Sequence, residues 1–296
     1  MHLIIFILVY PVIWLLSSLP MALLYLLSDG LYLLFFYVIG YRKRVVLDNL
    51  TLAFPEKEER ELLEIRKKFY RHFTDLVVES VKAFTMSKAF VSKRYAFNNP
   101  EVVNDLHKKG RSIAFVGAHQ ANWEWSCSMP MVVDVLCFGA YTRMGNKYFD
   151  RVIKKSRSKF GFIGYETTKT VQAIKSNFDN GVQGLYLLLS DQSPQIHKTH
   201  YWREFMGVKV PIHTGAEMLA KKFDMAVVNY SIKKIKRGRY KVDLEIITET
   251  PQQFKNYEIT DQYLAIVERN IREQPEYYLW SHKRFKHKDQ VPKEWL

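Results

Sequence analysis

Cysteine is nearly absent. The 296-residue chain has two, Cys127 and Cys137, too few for a disulfide framework and too widely spaced for a CxxC metal or redox pair. Glycine (13) and proline (10) are sparse, which excludes collagen-like and low-complexity chains and leaves little room for long loops. Charge is missing from one end: Asp29 is the sole Asp, Glu, Lys or Arg among the first 41 residues. With hydrophobic residues at 48% and charged residues at 25%, intrinsic disorder is excluded too.

The imbalance falls on the rest of the chain. Lys+Arg 44 against Asp+Glu 30 gives +14, and taking Asp29 out of the count leaves +15 beyond Tyr41. A basic body fits anionic partners such as nucleic acid, phospholipid head groups or an acidic protein. The apolar end favours the membrane among these.

Residues Leu3 to Ile39 are apolar except for Ser17, Ser18, Ser28 and Asp29, with prolines at Pro11 and Pro20. As one helix the stretch would be about 55 Å long, against a hydrocarbon core of about 30 Å. A break is expected at Ser28-Asp29-Gly30, which leaves Leu3–Leu27 free to span and Leu31–Tyr41 to lie at the interface. Two interfacial helices that never cross, or a buried hairpin of a soluble protein, are the alternatives. The start carries no Lys or Arg and no small-residue cleavage site follows, so a signal peptide is not expected. Arg42-Lys43-Arg44 comes next, and the excess of positive charge places the body on the cytoplasmic side. The expected organisation is a membrane anchor over 1–41 and one domain over 42–296.

That domain alternates. A helix is expected over Pro55–Met86 and another over Glu101–Lys109. Short apolar runs at Ser112–Gly117, Val135–Ala140, Leu185–Leu189, Ala226–Ile232 and Tyr240–Ile247 read as buried strands. Helical patterns over Asn146–Phe160, Lys169–Asn180, Thr214–Phe223 and Thr260–Glu273 separate most of them. This predicts an α/β fold, a central mainly parallel or mixed sheet flanked by helices, with the apolar helical segment in front. Ligands of such sheets bind beyond the carboxyl ends of the strands, so chemistry is sought in the loops after them.

Gly117-Ala118-His119-Gln120-Ala121-Asn122-Trp123-Glu124 closes the first of these strands. On a continuous helix, His119 and Glu124 would point about 140° apart. A strand end, a turn and a helix start can instead bring them together. A carboxylate would then hold one imidazole nitrogen and leave the other free to take a proton from a hydroxyl.

Here the chain resembles the late acyltransferases of lipid A biosynthesis, the lauroyl/myristoyl family within the broader lysophospholipid-acyltransferase-like group. The likeness covers most of the chain. Besides Gly117–Glu124 it rests on Asn49-Leu50 with Phe54-Pro55, and on Tyr141-Thr142-Arg143 with Asn146 and Asp150. It continues through Ser190-Asp191-Gln192, Val210-Pro211 with Thr214-Gly215-Ala216, and Gln274–Trp280 followed by Lys283–Lys286. Phe205-Met206-Gly207 departs from the aromatic pair and glycine usual in relatives.

The resemblance implies transfer of a fatty acyl chain from acyl carrier protein to a hydroxyl of a lipid A precursor, at the cytoplasmic face of the inner membrane. It implies His119 as general base and Glu124 as the residue that orients it, with no acyl-enzyme, metal or cofactor. Arg143 is expected to bind a phosphate of the acceptor or of the carrier's phosphopantetheine arm, and Asn146 and Gln192 are expected to be substrate-binding residues. Asp191 is expected to orient the acceptor, support the histidine or cap its loop. Arg284, with Trp280 and Phe285, reads as a C-terminal lock, and His72, His107, His197, His200, His213, His282 and His287 read as ordinary residues. Basic runs such as Lys154–Lys159 and Lys233–Arg237 suit anionic lipid and acidic carrier protein. Without stacking aromatics or a recognisable module beside them, nucleic acid is not expected. The rival readings are an acyltransferase for another glycolipid or aminolipid, a non-catalytic lipid-binding protein on the same fold, and a soluble thioester hydrolase.

Overall fold

The computed structural model describes residues His2 to Trp295. Two apolar helices, α1 (His2–Ser18) and α2 (Met21–Leu33), open the chain, and α2 runs on through a π-helical stretch, Leu34–Ile39, to Gly40. The break falls at Leu19-Pro20, not at the expected Ser28-Asp29-Gly30. Proline has no N–H to continue the ladder of α1, while its fixed φ suits a helix start. Ser28 and Asp29 stay helical because they find partners sideways. The Ser28 hydroxyl donates to Asp75 (2.8 Å), and Asp29 pairs with Arg237 (2.6 Å). Gly40, in the left-handed region at φ 63°, ends the π stretch.

Helices α3 (Lys43–Ala53), α4 (Glu59–Lys82) and α5 (Lys88–Ser92) follow, then strand β1 (Tyr95–Phe97) and helix α6 (Glu101–Lys108). The α4 helix is the platform for the N-terminal pair. Its Lys82 ammonium donates to the carbonyls of Ser17 and Leu19 (both 2.9 Å), and Tyr25 of α2 donates to Glu79 (2.8 Å). Next come β2 (Ile113–Gly117), a 3₁₀ segment (Trp123–Met131), β3 (Leu136–Tyr141), α7 (Lys147–Ser158), β4 (Ile163–Glu166), α8 (Thr170–Asp179) and β5 (Gly184–Leu189). A hairpin of β6 (Trp202–Phe205) and β7 (Val208–Pro211) leads to α9 (Gly215–Lys222), β8 (Ala226–Lys236), β9 (Arg239–Thr248) and α10 (Glu258–Glu273).

The main sheet runs β1-β9-β8-β2-β5-β3-β4. Among the described residues β8–β9 is its one antiparallel pair; the other neighbours are parallel. This is the expected α/β architecture. Every residue of β2 is buried, as a central parallel strand with both faces covered requires. Its side chains alternate between two cores: Ala114 and Val116 pack with Leu264 and Val267 of α10, Ile113 and Phe115 with Leu106 of α6 and Trp125. At Gly117 a Cβ would run into the ring of Tyr230, so the strand ends on a residue without one.

The outer faces of α1 and α2 remain apolar and uncovered; Leu8 is 67% and Leu26 69% exposed. The inner face of α1 is tied at both ends. Asn146, ahead of α7, donates to the His2 carbonyl (2.9 Å), and Phe6 packs on Tyr148 and Phe149 at 5.5 and 5.3 Å between ring centres. The Lys82 bonds hold the other end.

Candidate active site

The site follows from strand register. β2 and β5 are parallel neighbours with Gly117 opposite Leu189. His119 lies two residues beyond the first and Asp191 two beyond the second, so the two loops leave the same edge side by side. The Asp191 Oδ1 lies 2.7 Å from His119 Nδ1, and its Oδ2 accepts the His119 backbone N–H at 3.1 Å. The Asp191 side chain is 1% exposed and that of His119 20%. An ionised carboxylate only accepts, so Nδ1 carries the hydrogen, and in the neutral ring Nε2 keeps its lone pair.

Electrostatics follow from this contact. Burial pulls the His119 pKa down, but the charge and hydrogen bond of Asp191, with a smaller contribution from Glu124, outweigh it, and the imidazole ends above its ordinary value. Burial pushes Asp191 up, and the His119 ring with the backbone N–H groups more than reverses it, so the carboxyl ends below its ordinary value. The edge of Trp123 stands against the His119 ring, 5.3 Å between centres at 67°.

The loop carrying His119 is clamped along its length. The His119 carbonyl accepts from Leu279 N–H (3.0 Å), and Ala121 N–H donates to the Tyr277 carbonyl (2.8 Å). Gln120 donates to the Asn270 carbonyl (2.9 Å). Ala121 takes φ +49°, a conformation unfavourable for any residue with a Cβ, and sharply turns the chain there. Asn122 caps the 3₁₀ segment through Trp125 N–H (3.1 Å) and donates to buried Glu79 (2.6 Å), whose pKa is pushed up by burial to about 7. The sequence landmarks meet behind this loop. Asn49 donates to the carbonyls of Trp280 and His282 (both 2.8 Å), and Phe54 packs edge-on against Trp280. Residues 277–280, which hold the His119 loop, are thereby held from the other side of the chain. On the Asp191 side, burial lowers the pKa of His282 to about 4, and its Nε2 accepts Ser193 N–H (3.1 Å), bracing the loop after β5.

The expected hydrogen bond between Glu124 and His119 is not formed; the carboxylate on Nδ1 is Asp191. Both Glu124 oxygens instead accept from Arg157 of α7, at 3.0 and 2.9 Å. The turn at Ala121 and the cap at Asn122 aim Glu124 outward to α7, while register puts Asp191 beneath the ring. Asn146 spends its side-chain oxygen on Tyr148 N–H (3.0 Å) at the start of α7 and its amide on His2. Asp150 accepts from Met144 N–H (2.9 Å) and pairs with Lys154 (2.7 Å). Arg143 is exposed on the same loop, and Gln192 is half-buried beside Asp191. Arg284 is 1% exposed, with its guanidinium 4.7 Å from the centre of the Phe205 ring and a bond to the Pro211 carbonyl (3.3 Å). In the sequence Trp123 stands only as part of a motif and Arg157 only as part of a basic run; their contacts with His119 and Glu124 are announced by no spacing.

Fold and site together define a class: a mainly parallel α/β protein with a carboxylate-held histidine beyond the carboxyl ends of two central strands, and with apolar helices along one flank. Residues 1–287 match the family described as bacterial lipid A biosynthesis acyltransferase, and the chain belongs to that family. It is also similar to the lipid A biosynthesis lauroyltransferase of Escherichia coli (strain K12), 24% identical over 279 residues that span 93% of this chain and 89% of the relative. Family membership makes acyl transfer in lipid A biosynthesis the general activity, and the apolar N-terminal helices support membrane association.

Proposed function

We propose that the chain transfers a fatty acyl group from acyl carrier protein to a hydroxyl of a lipid A precursor, with His119 as general base and Asp191 as the carboxylate that orients it. Nε2 takes the acceptor's hydroxyl proton as its oxygen attacks the thioester carbonyl. The carbon–sulfur bond breaks and the proton passes from His119 to the departing thiolate, leaving an ester and free carrier thiol. A thioester is already activated, so a positioned base suffices and no enzyme nucleophile is required. One observation carries this reading: an imidazole held at 2.7 Å by a buried carboxylate on the ligand edge, in a chain of this family. In this scheme Glu124 holds Arg157 and places negative charge near the ring, while Arg143 and Gln192, on neighbouring strand-end loops, are positioned to meet the acceptor. The deciding measurement is mass spectrometry of lipids from a cell lacking the protein. Loss of one secondary acyl chain from lipid A is expected; intact lipid A with altered aminolipids would overturn the acceptor. Free fatty acid released by the purified protein without any acceptor would mark a thioester hydrolase.

The cytoplasmic face of the inner membrane is the proposed location, with α1 and α2 lying along the bilayer and not through it. Met21–Ile39 is long and apolar enough to cross. As docked, however, α2 carries the Asp29–Arg237 pair at its middle, and α1 lies beside α7, whose Lys147, Arg151, Lys155 and Arg157 are exposed. Spanning would draw these charges into hydrocarbon at about 2.5–3.5 kcal/mol each, whereas lying flat leaves them at the headgroups. Cysteines placed at His2 and Arg44 are expected to react with an impermeant maleimide only from the cytoplasmic side. Labelling of the His2→Cys chain in intact spheroplasts would sink the flat arrangement.

A further inference from the structure

His72 takes no part in that acyl transfer, yet this residue of α4 touches the His119 loop. It is 2% exposed. Its Nδ1 lies 3.1 Å from the Lys234 ammonium, itself 3.2 Å from Asp75, and its Nε2 lies 3.2 Å from the Ala121 carbonyl oxygen. Tyr277 packs edge-on against the ring at 4.7 Å between centres. The hydrogen on this imidazole is assigned by its neighbours. An ammonium can only donate, so Nδ1 accepts; the ring's hydrogen is then on Nε2 and is donated to Ala121. Burial first, and then the Lys234 charge, keep the ring's pKa well below its ordinary value, so the neutral form is the one present.

Ala121 stands two residues after His119, in the left-handed conformation that turns the loop. Its N–H is held by the Tyr277 carbonyl and its C=O by His72. A left-handed residue with a Cβ persists only where its surroundings hold it. We propose that His72 is a positioning residue: through the chain Asp75–Lys234–His72 it pins the Ala121 turn and so keeps His119 seated against Asp191. This rests on His119 being the base, and the experiment separates the two ideas.

Two substitutions split the ring's functions. In His72→Gln the amide nitrogen occupies the place of Nε2 and can still donate to Ala121; in His72→Asn the amide reaches only the Nδ1 place. Acyl transfer by the full chain and the titration of a ¹³C-labelled His119 ring by NMR are measured for both, with thermal unfolding as control. His72→Asn is expected to lower kcat about 10-fold or more with KM within about 3-fold, as a misplaced base does. The His119 midpoint should also fall, because its bond to Asp191 loosens while Glu124, Arg157 and His282 stay in place. His72→Gln should stay within about 3-fold of the parent, because the bond to Ala121 survives. An unchanged His119 titration in a folded His72→Asn chain, or equal losses in both variants, would overturn the proposal. A shifted titration together with full activity of His119→Ala would defeat the base and leave the positioning intact. Should His72→Asn not fold, His72→Met takes its place. It fills the space of the ring but carries no N–H for the Ala121 carbonyl, and the same fall in the His119 midpoint is required of it.

Discussion

Replacing His119 by alanine is expected to lower acyl transfer by about 10²- to 10⁴-fold at saturating substrate, the range for removal of a positioned general base. The loss should appear in kcat, because Nε2 meets the hydroxyl proton only as the oxygen attacks. Two effects must be kept apart. Alanine also leaves buried Asp191 facing an empty space, with the His119 backbone N–H as its remaining bond across the loops, and a buried carboxylate stripped of a partner destabilises the fold. His119→Asn separates them. Its amide nitrogen occupies the place of Nδ1 and can still donate to Asp191, but nothing stands where Nε2 was. The asparagine variant should therefore unfold near the parent's temperature and be as inactive as the alanine variant. Radiolabelled acyl transfer with purified protein reads the rate, and turnover within threefold of the parent in the asparagine variant would exclude His119 as the base.

Both members of the central pair were visible in the sequence as polar residues closing apolar runs, His119 after Ser112–Gly117 and Asp191 after Leu185–Leu189. Their adjacency was not. The sequence offers no order for the strands, and only when β5 lies beside β2 with Gly117 opposite Leu189 do the two loops face each other. Glu124 was the more obvious partner because it is five residues away, but proximity along the chain says little across a turn whose direction is set by a left-handed alanine. Periodicity located most helices and buried strands within a few residues. It missed β1 and β4, edge strands of three and four residues, and the β6–β7 hairpin, whose strands have four residues each; all are too short to show a period. The N-terminal break was misplaced for a related reason. Ser28 and Asp29 look like helix breakers until Asp75 and Arg237 are found beside them. At the His119 loop and at Ser28-Asp29, distant partners and not local propensity decided the outcome.

Asp191→Asn is the second large effect, and its sign with pH is fixed by what the carboxylate does. The base form of His119 is required, so the rate of the parent rises with pH through the histidine's pKa, which Asp191 holds above the ordinary value against the pull of burial. Asparagine is neutral. Burial then acts on the ring with only Glu124 to oppose it, the pKa falls, and the rising limb moves to lower pH. On the plateau the variant should be about 10²-fold slower, because the weaker base is no longer held in the tautomer that leaves Nε2 free. On the acid side the deficit narrows, because the parent is there largely protonated and the variant is not. Glu124→Gln gives the contrast. Its carboxylate is bonded to Arg157 and not to the ring, so a plateau loss below about 10-fold is expected, with a smaller displacement of the limb in the same direction. Full pH–rate profiles of the two variants decide between the carboxylates: a limb that stays in place in Asp191→Asn and moves in Glu124→Gln would return the orienting role to Glu124.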